Sequence, residues 1–487
     1  MQISPNKPFI CGVTGGILSG MSLSNGPNLM VIPGVVLLWA GEGSSLSGFC
    51  WGFSFIFVSH RWLMSLHPMT WLGFSESMSL FNTYLILLIC CFAGGVLVAF
   101  WSLLNKYIFL FSKRKGLNMG IYPPALLLSS IWGLSEVLLS KSPIFFIGLG
   151  QSMLPDNIFL AGWLRILGSG GLASIQLMFG FFIFDSINSF IYKRKYKKKL
   201  IIGLSIFLML NFIGSKLIYT SQSKGSISIA SWQTNIPIRE KFLQKNISAL
   251  PFKIRDSLNQ ANGMSADLLI APEGTFYSGI KLIEPTPIDL FAGGFRRDSG
   301  AKRSSLLVFE KGSEIPTDFI DKHRLVPLGE RAPSDFFGFD IGLTAISDLR
   351  PGAPSRLLSW SGPDAAVAIC YEVSDGNAIA RAISEGGEWI AVIANLDPYP
   401  KSLQREFLML AQSRSLENDR DLISIGNTGP SAHLKPSGEI IELVKPFDEG
   451  LGFANVELRE GKSPYTKLGE IPLILIIILS SMFTFIL

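Results

Sequence analysis

The chain has 487 residues, 48% hydrophobic and only 16% charged, against about 25% charged in ordinary soluble proteins. Its 42 Lys and Arg exceed its 37 Asp and Glu, but unevenly: residues 1–220 hold 15 basic and 5 acidic groups, and the remainder 27 and 32. The first part has too few charges to cover a water-exposed surface, the apolar content excludes disorder, and the acidic second part excludes a basic nucleic-acid binder.

The first part reads as membrane helices. A helix needs about 17–25 mainly apolar residues to cross a hydrocarbon core of about 30 Å. Two or three spans are expected within Pro8–Ser59, broken near Asn25-Gly26-Pro27 and Glu42, and the start reads as a span rather than a cleaved signal peptide. Further spans are expected over Ser77–Asn105, Gly116–Ser135, Ile166–Phe184 and Leu200–Tyr219, and a last one over Ile471–Leu487. Two short basic connections, Lys113-Arg114-Lys115 and Lys193–Lys199, set the sidedness, because such loops stay cytoplasmic. The expected layout is a helical membrane domain over 1–221 with about seven spans, an exported domain over 222–469, and a closing span over 470–487. Glu136 sits within an apolar run, as either a functional or paired buried carboxylate or a residue at a span end.

From Ser226 the pattern changes to short strands punctuated by Gly, Pro, Asn and Asp. Strands are predicted over Ser226–Trp232, Asp267–Ala271, Ser305–Phe309, Ala365–Cys370, Trp389–Ala394 and Leu422–Ile425. Helices are predicted over Lys241–Asn259, Asp375–Glu385 and Ser402–Asn418, and a hairpin over Ala432–Leu443. Mixed strands and helices over about 240 residues predict one α/β layered domain.

Three apolar runs of this domain end in reactive side chains. Leu268–Pro272 delivers Glu273, Val367–Ile369 delivers Cys370 followed by Tyr371 and Glu372, and Lys322 lies between them beside an apolar turn leading to Glu330. Each has a structural explanation alone: a helix cap for Glu273, a solvated charge run for Lys322, a small buried hydrophobe for Cys370. Together they form a workable acyl-transfer unit. A carboxylate can accept the thiol proton, and an ammonium can stabilise both a thiolate and the oxyanion of a tetrahedral intermediate. Cys11, Cys50, Cys90 and Cys91 lie in the apolar part, so Cys370 is the one thiol of the soluble part and no disulfide framework is implied. His60, His67, His323 and His433 have no Cys/His ligand spacing, and neither a metal nor a cofactor is expected.

At these residues the chain resembles the nitrilase superfamily. Ala271-Pro272-Glu273, Lys322 with Leu325-Val326-Pro327 and Gly329-Glu330, and Cys370-Tyr371-Glu372 are similar to its Glu–Lys–Cys segments. The Lys322-to-Glu330 spacing and the Cys-Tyr-Glu string resemble the membrane branch, the apolipoprotein N-acyltransferases. So do Gln233–Pro237, Arg414-Ser415-Leu416-Glu417-Asn418, Asn427-Thr428-Gly429, Glu136 and Trp163–Gly171. The resemblance implies an αββα sandwich on the extracytoplasmic side of a bacterial inner membrane. It implies that Cys370 takes an acyl chain from a phospholipid, phosphatidylethanolamine, as a thioester and passes it to the α-amine of a diacylglyceryl-cysteine lipoprotein. Glu273 would be the general base and acid, Lys322 the oxyanion stabiliser, Glu330 an orienting group near Lys322, and Glu372 a support.

The chain departs from that family at three places. Ala271 stands where Trp is common, Leu396-Asp397-Pro398-Tyr399 lacks the usual Asp-then-Trp, and Val308-Phe309-Glu310 replaces a Tyr-Asn pair. Competing expectations are a divergent relative serving conjugative plasmid transfer or another envelope process, a membrane-tethered amidase or nitrile hydrolase, and a non-enzymatic envelope scaffold.

Overall fold

The computed structural model describes residues 7–69, 74–114, 120–142, 145–154, 156–192, 196–218, 220–238, 240–277, 279–326, 330, 349–397 and 399–485. Its first part is helical: α1 (Lys7–Leu23), α2 (Val31–Ala40), α3 (Ser45–Ser59), α4 (Glu76–Arg114), α5 (Tyr122–Ser140), the short α6 (Ile158–Ala161), α7 (Leu164–Ile191) and α8 (Tyr196–Leu217). Four of these, α4, α5, α7 and α8, are long and apolar enough to cross a membrane, and they fall on the four spans expected between residues 77 and 219. The region expected to hold two or three earlier spans forms α1, α2 and α3, of 17, 10 and 15 residues. Of the basic connections that set the expected sidedness, Lys115 and residues 193–195 lie outside the described residues.

Indole groups tie these helices together. Trp39 Nε1 donates to Leu177 O (3.0 Å), Trp51 Nε1 to Gly34 O (3.0 Å), Trp101 Nε1 to Leu128 O (3.0 Å) and Trp163 Nε1 to Leu210 O (2.9 Å). Each bond satisfies an indole donor, three of them on buried rings and that of Trp163 on a partly buried one. Glu136 is buried in α5 and paired. Its Oε1 accepts from Trp132 Nε1 (2.7 Å) and Leu149 N (2.8 Å), and its Oε2 from Gly150 N (3.1 Å). The carboxylate therefore caps the turn at 149–151.

The second part contains β1 (Gly225–Gln233), α9 (Gln244–Gly263), β2 (Leu268–Phe276), β3 (Asp289–Asp298), β4 (Ala301–Phe309), β5 (Asp318–Asp321), β6 (Leu357–Leu358), β7 (Ala365–Ile369), α10 (Gly376–Glu385), β8 (Trp389–Ala394), α11 (Lys401–Asn418), β9 (Leu422–Gly426), β10 (Ser431–Leu434), β11 (Ile440–Val444) and β12 (Gly450–Leu458). The chain then closes with α12 (Pro464–Leu468) and α13 (Ile471–Phe485). Two six-stranded sheets form, ordered β12-β1-β2-β3-β4-β5 and β11-β10-β9-β8-β7-β6. In each, three adjacent strands run parallel: β1-β2-β3 and β7-β8-β9.

Period-2 alternation explains the layers. Ile227, Ile229, Leu268, Ile270, Leu306 and Val308 of one sheet meet Val367, Ile369, Ala391, Ile393, Ile423 and Ile425 of the other. The opposite face of the first sheet, with Trp232, Leu269 and Leu307, packs on Leu250, Ile254 and Leu258 of α9. The opposite face of the second, with Ala368, Ile390 and Val392, packs on α10 and α11 and continues into the membrane helices. The domain is thus an αββα sandwich with its second helical layer laid on the membrane half.

Side chains secure that junction. α7 breaks at Gly168 (φ 63°, ψ −173°), a backbone that only glycine adopts freely. Just before the break, buried Arg165 donates through Nη2 to Asp419 Oδ1 (2.9 Å) and Pro436 O (2.9 Å), and through Nε to Leu416 O (3.3 Å). Breaking a buried ion pair by removing one partner costs about 3–5 kcal/mol. Arg165→Met is therefore expected to lower the unfolding temperature of the detergent-solubilised protein by several degrees, measured by thermal unfolding against the unmodified chain.

Candidate active site

Parallel strands direct their carboxyl ends to one edge, where α/β domains collect reactive groups. Here Glu273 lies in β2, Cys370 immediately follows β7, and Asn395 immediately follows β8. Lys322 immediately follows β5. The structure thereby brings together groups that are 49 and 48 positions apart along the chain.

Lys322 is the centre of the cluster. It is fully buried, and its Nζ donates to Glu273 Oε1 (2.8 Å) and Glu330 Oε1 (2.7 Å). Each carboxylate is also held by backbone: Glu273 Oε2 accepts from Asn395 N (3.1 Å) and Glu330 Oε2 from Val326 N (2.8 Å). Burial alone would pull the ammonium down, but the charges of Glu273 and Glu330 outweigh it and hold Lys322 well above the usual lysine range. Lys322 is therefore a permanent cation. Burial pushes Glu330 up, with Lys322 opposing.

Cys370 is half-buried and starts a 3₁₀ turn, Cys370–Ser374, with φ +58°. A non-glycine residue in that region costs about 1–2 kcal/mol, so the turn must be over-determined by its surroundings. Glu372 does much of this. Its Oε2 accepts from Ile369 N (2.9 Å) and Arg356 Nη1 (2.9 Å), and its Oε1 from His323 N (2.7 Å) and Arg324 N (3.0 Å). One carboxylate thus joins the strand before the thiol to the two residues after Lys322. Tyr371 adds a second tie, donating from its hydroxyl to Leu325 O (2.9 Å).

Burial pushes the Cys370 thiol up, Glu273 raises it further, and Lys322 with the Tyr371 backbone amide opposes only in part. The resting sulfur is a protonated thiol, which needs a base before it can attack. Glu273 is the carboxylate on hand, and Lys322 is the cation beside it. The chemistry available is nucleophilic acyl transfer with an ammonium facing a developing oxyanion. Among the described residues no cluster of His, Cys, Asp and Glu is arranged to hold a metal ion.

The five residues expected from the sequence all lie in this network: Glu273, Lys322 and Cys370 at its centre, Glu330 on Lys322, and Glu372 beneath the turn. Pro327 and Gly329, part of the motif around Glu330, lie outside the described residues. Other motif residues pin the rim. Asn427 Oδ1 accepts from Leu396 N (3.0 Å), its Nδ2 donates to Ile236 O (3.2 Å), and its backbone oxygen accepts from Asn235 N (2.7 Å).

Sequence reasoning missed Lys241, Tyr399 and Arg356. Lys241 is buried, and its Nζ donates to Gly274 O (3.1 Å), directly after Glu273. Burial holds this lysine down to about 8, with Glu273 and Asp397 partly offsetting. Tyr399 stacks edge-on against Trp62 of the membrane half, with ring centroids 5.5 Å apart. Cys370, Val326, Tyr399, Trp62 and Phe145 belong to one continuous apolar cluster, so the sulfur adjoins the membrane half. Arg324 reaches the Ser142 carbonyl and Ser374 Oγ donates to Ser140 O (3.3 Å), both at the end of α5.

No family model matches the chain. It is 42% identical over 466 residues to the apolipoprotein N-acyltransferase of Prochlorococcus marinus (strain MIT 9313), covering 96% of this chain and 93% of that relative. The enzyme of the same name from Parasynechococcus marenigrum (strain WH8102) is 37% identical over 465 residues, covering 95% of this chain and 97% of that relative. Among solved structures, a mutant of the amidase from Nesterenkonia sp. AN1 aligns at 19% identity and a TM-score of 0.38, covering 51% of this chain and 98% of that one. Nit3 of Saccharomyces cerevisiae, a nitrilase-superfamily protein, aligns at 15% identity and a TM-score of 0.37, covering 49% and 93%.

Two outcomes test this geometry. A Cβ added at Gly293 of β3 would lie 2.4 Å from Glu273 Cα, so Gly293→Ala is expected to cost about 1–3 kcal/mol and to be seen as a lower unfolding temperature. An unfolded lysine titrates near 10.4 and Lys241 near about 8. Between those values the unfolded chain binds the extra proton, so this group makes stability rise with pH. Unfolding midpoints measured across that window should show a shallower rise in Lys241→Met.

Proposed function

The chain belongs to the apolipoprotein N-acyltransferase family, and from that premise we propose that this membrane enzyme moves a fatty acyl chain from a phospholipid to the N-terminal amine of a diacylglyceryl-cysteine lipoprotein. The observation that carries the mechanism is the Lys322 ammonium, 2.8 Å from Glu273 and 2.7 Å from Glu330, beside a protonated thiol that adjoins the membrane half.

In the first half-reaction Glu273 takes the Cys370 proton as the sulfur attacks an ester carbonyl of the phospholipid. Lys322 faces the oxyanion of the tetrahedral intermediate. Collapse breaks the ester C–O bond, Glu273 returns the proton to the departing alkoxide, and a lysophospholipid leaves. In the second half-reaction the acceptor amine attacks the thioester carbonyl and Glu273 accepts the amine proton. The C–S bond then breaks, the thiol is reprotonated, and an amide has formed. Splitting the transfer in this way keeps two bulky lipids from having to meet at once. Glu330 holds Lys322 from the other side, and Glu372 holds the Cys370 turn against the Lys322 loop. No step requires a cofactor.

Phosphatidylethanolamine is the proposed donor. The proposed setting is the bacterial inner membrane, with about seven helical spans before residue 222, the catalytic domain over 222–469 on the extracytoplasmic side, and a last span over 470–487. The packing of Cys370, Tyr399 and Phe145 on the apolar cluster that contains Trp62 supports a lipid donor over a small soluble amide, since an acyl chain is matched by apolar side chains.

Complementation tests the proposal. In a bacterium depleted of its own lipoprotein N-acyltransferase, this chain should restore triacylated lipoproteins, while Cys370→Ala, inserted at the same level, should restore none. Restoration by Cys370→Ala would overturn the mechanism; no restoration by the unmodified chain would favour another acceptor. Lys322→Met should lose about 2.7–4 kcal/mol of transition-state stabilisation, as removal of an oxyanion donor does elsewhere, read as kcat in a purified assay.

A further inference from the structure

Arg414 and Glu417 belong to the Arg-Ser-Leu-Glu-Asn string of α11, and neither has a part in the chemistry above. Both are completely buried and bonded to each other, Arg414 Nη2 to Glu417 Oε1 at 2.8 Å. Arg414 Nη1 also donates to Val373 O (3.3 Å) and Ser374 O (3.0 Å), the last two residues of the turn that begins at Cys370. Space for the guanidinium is kept by Gly376, where a Cβ would lie 2.7 Å from Arg414 Nη1. On its other side, Glu417 Oε1 accepts from Ser169 N (3.1 Å). Ser169 is the first residue after the break of α7 at Gly168, so its amide is an orphan donor at the positive end of a membrane helix, where a carboxylate is favoured. Tyr465 of α12 closes the joint, its ring lying 2.3 Å from where a Gly168 Cβ would stand.

These contacts form one path: the broken membrane helix, the Glu417 carboxylate, the Arg414 guanidinium, and the carbonyls of the nucleophile turn. We propose that Arg414 and Glu417 are positioning residues that fix the Cys370 turn against the break in α7, so that the sulfur keeps one station relative to the membrane half. The proposal deepens the acyltransferase reading and rests on it for its consequence on turnover. A guanidinium suits the task because its planar fork reaches two carbonyls and a carboxylate simultaneously, which a single ammonium does not. The left-handed φ of Cys370 gives the turn a reason to relax when that hold is lost.

The test uses the full-length protein in detergent with two readouts. One is kcat and KM for phospholipid; the other is the rate of Cys370 alkylation by iodoacetamide between about pH 6 and 10, followed on the Cys370 peptide by mass spectrometry. Arg414→Lys keeps the charge but loses the fork. It is expected to lower kcat by about tenfold to a hundredfold, as a misplaced reacting group does, to leave KM within about twofold, and to shift the alkylation profile. Glu417→Gln leaves the buried guanidinium without its counter-charge and is expected to shift the alkylation profile in the same direction. An unchanged kcat and profile in Arg414→Lys would reduce the pair to a purely structural role and overturn the proposal. So would an unchanged profile in Glu417→Gln. Should Arg414→Lys fail to insert, Ser169→Pro decides, because proline is tolerated in the first turn after the break and has no amide hydrogen for Glu417 to accept. Ser169→Ala, which keeps that amide, is the control: a Cys370 profile shifted in Ser169→Pro and not in Ser169→Ala supports the path, and an unchanged one overturns it. Alkylation needs no lipid, so an unmodified chain that fails to acylate would count against the proposed function and not against this path.

Discussion

A single buried ammonium organises the reactive edge of this protein. Lys322 is sealed from water and lies between two carboxylates, an arrangement that is costly unless every charge is met. Meeting the charges fixes the surrounding chain. Glu273 must sit where its second oxygen finds the Asn395 amide, and Glu330 where it finds the Val326 amide. β2 itself and the loops after β5 and β8 are therefore tied to one cation, and Glu372 ties the turn after β7 to the same place. Convergence of residues far apart in sequence follows from charge satisfaction within a low-dielectric setting, where such bonds are strong and unpaired groups are expensive.

That arrangement also accounts for the protonation states. A cation held between two carboxylates stays charged, and a thiol that is buried and faces Glu273 is pushed up and stays protonated. The proposed cycle uses both: the base is needed only when substrate arrives, and the oxyanion partner is already in place. Preorganisation of this kind is where much of an enzyme's rate advantage arises. The membrane half supplies what the sandwich lacks, an apolar surround continuous with the sulfur, joined through Arg165, Glu417 and Arg324.

The sequence revealed the parts whose local signals agree with the final structure. Glu273 and Cys370 close uninterrupted apolar runs, and such runs become fully buried strands, β2 and β7. The long uncharged stretches became α4, α5, α7 and α8. β3 was not foreseen, because Gly293-Gly294 and Arg296-Arg297 read as loop; the glycine is needed for close approach to Glu273, and Arg296 is paired with Asp321. β12 was missed although it alternates buried Ala454, Val456 and Leu458 with exposed Phe453, Asn455 and Glu457, the pattern of a half-buried strand; the glycines at 450 and 452 read as a turn instead. Lys241 sits beside Glu240, and a charged neighbour suggests a solvated surface; only tertiary packing buries it against Gly274. Arg356 likewise acquires meaning only from Glu372, sixteen residues later.

The proposed role of these charges is to serve one sulfur. Incubating the purified protein with a phospholipid carrying a labelled acyl chain, without acceptor, and mapping the label by mass spectrometry tests it most directly. A hydroxylamine-labile acyl group on Cys370 is expected. Label found only on Cys11, Cys50, Cys90 or Cys91, or on no thiol while transfer to acceptor proceeds, would contradict it.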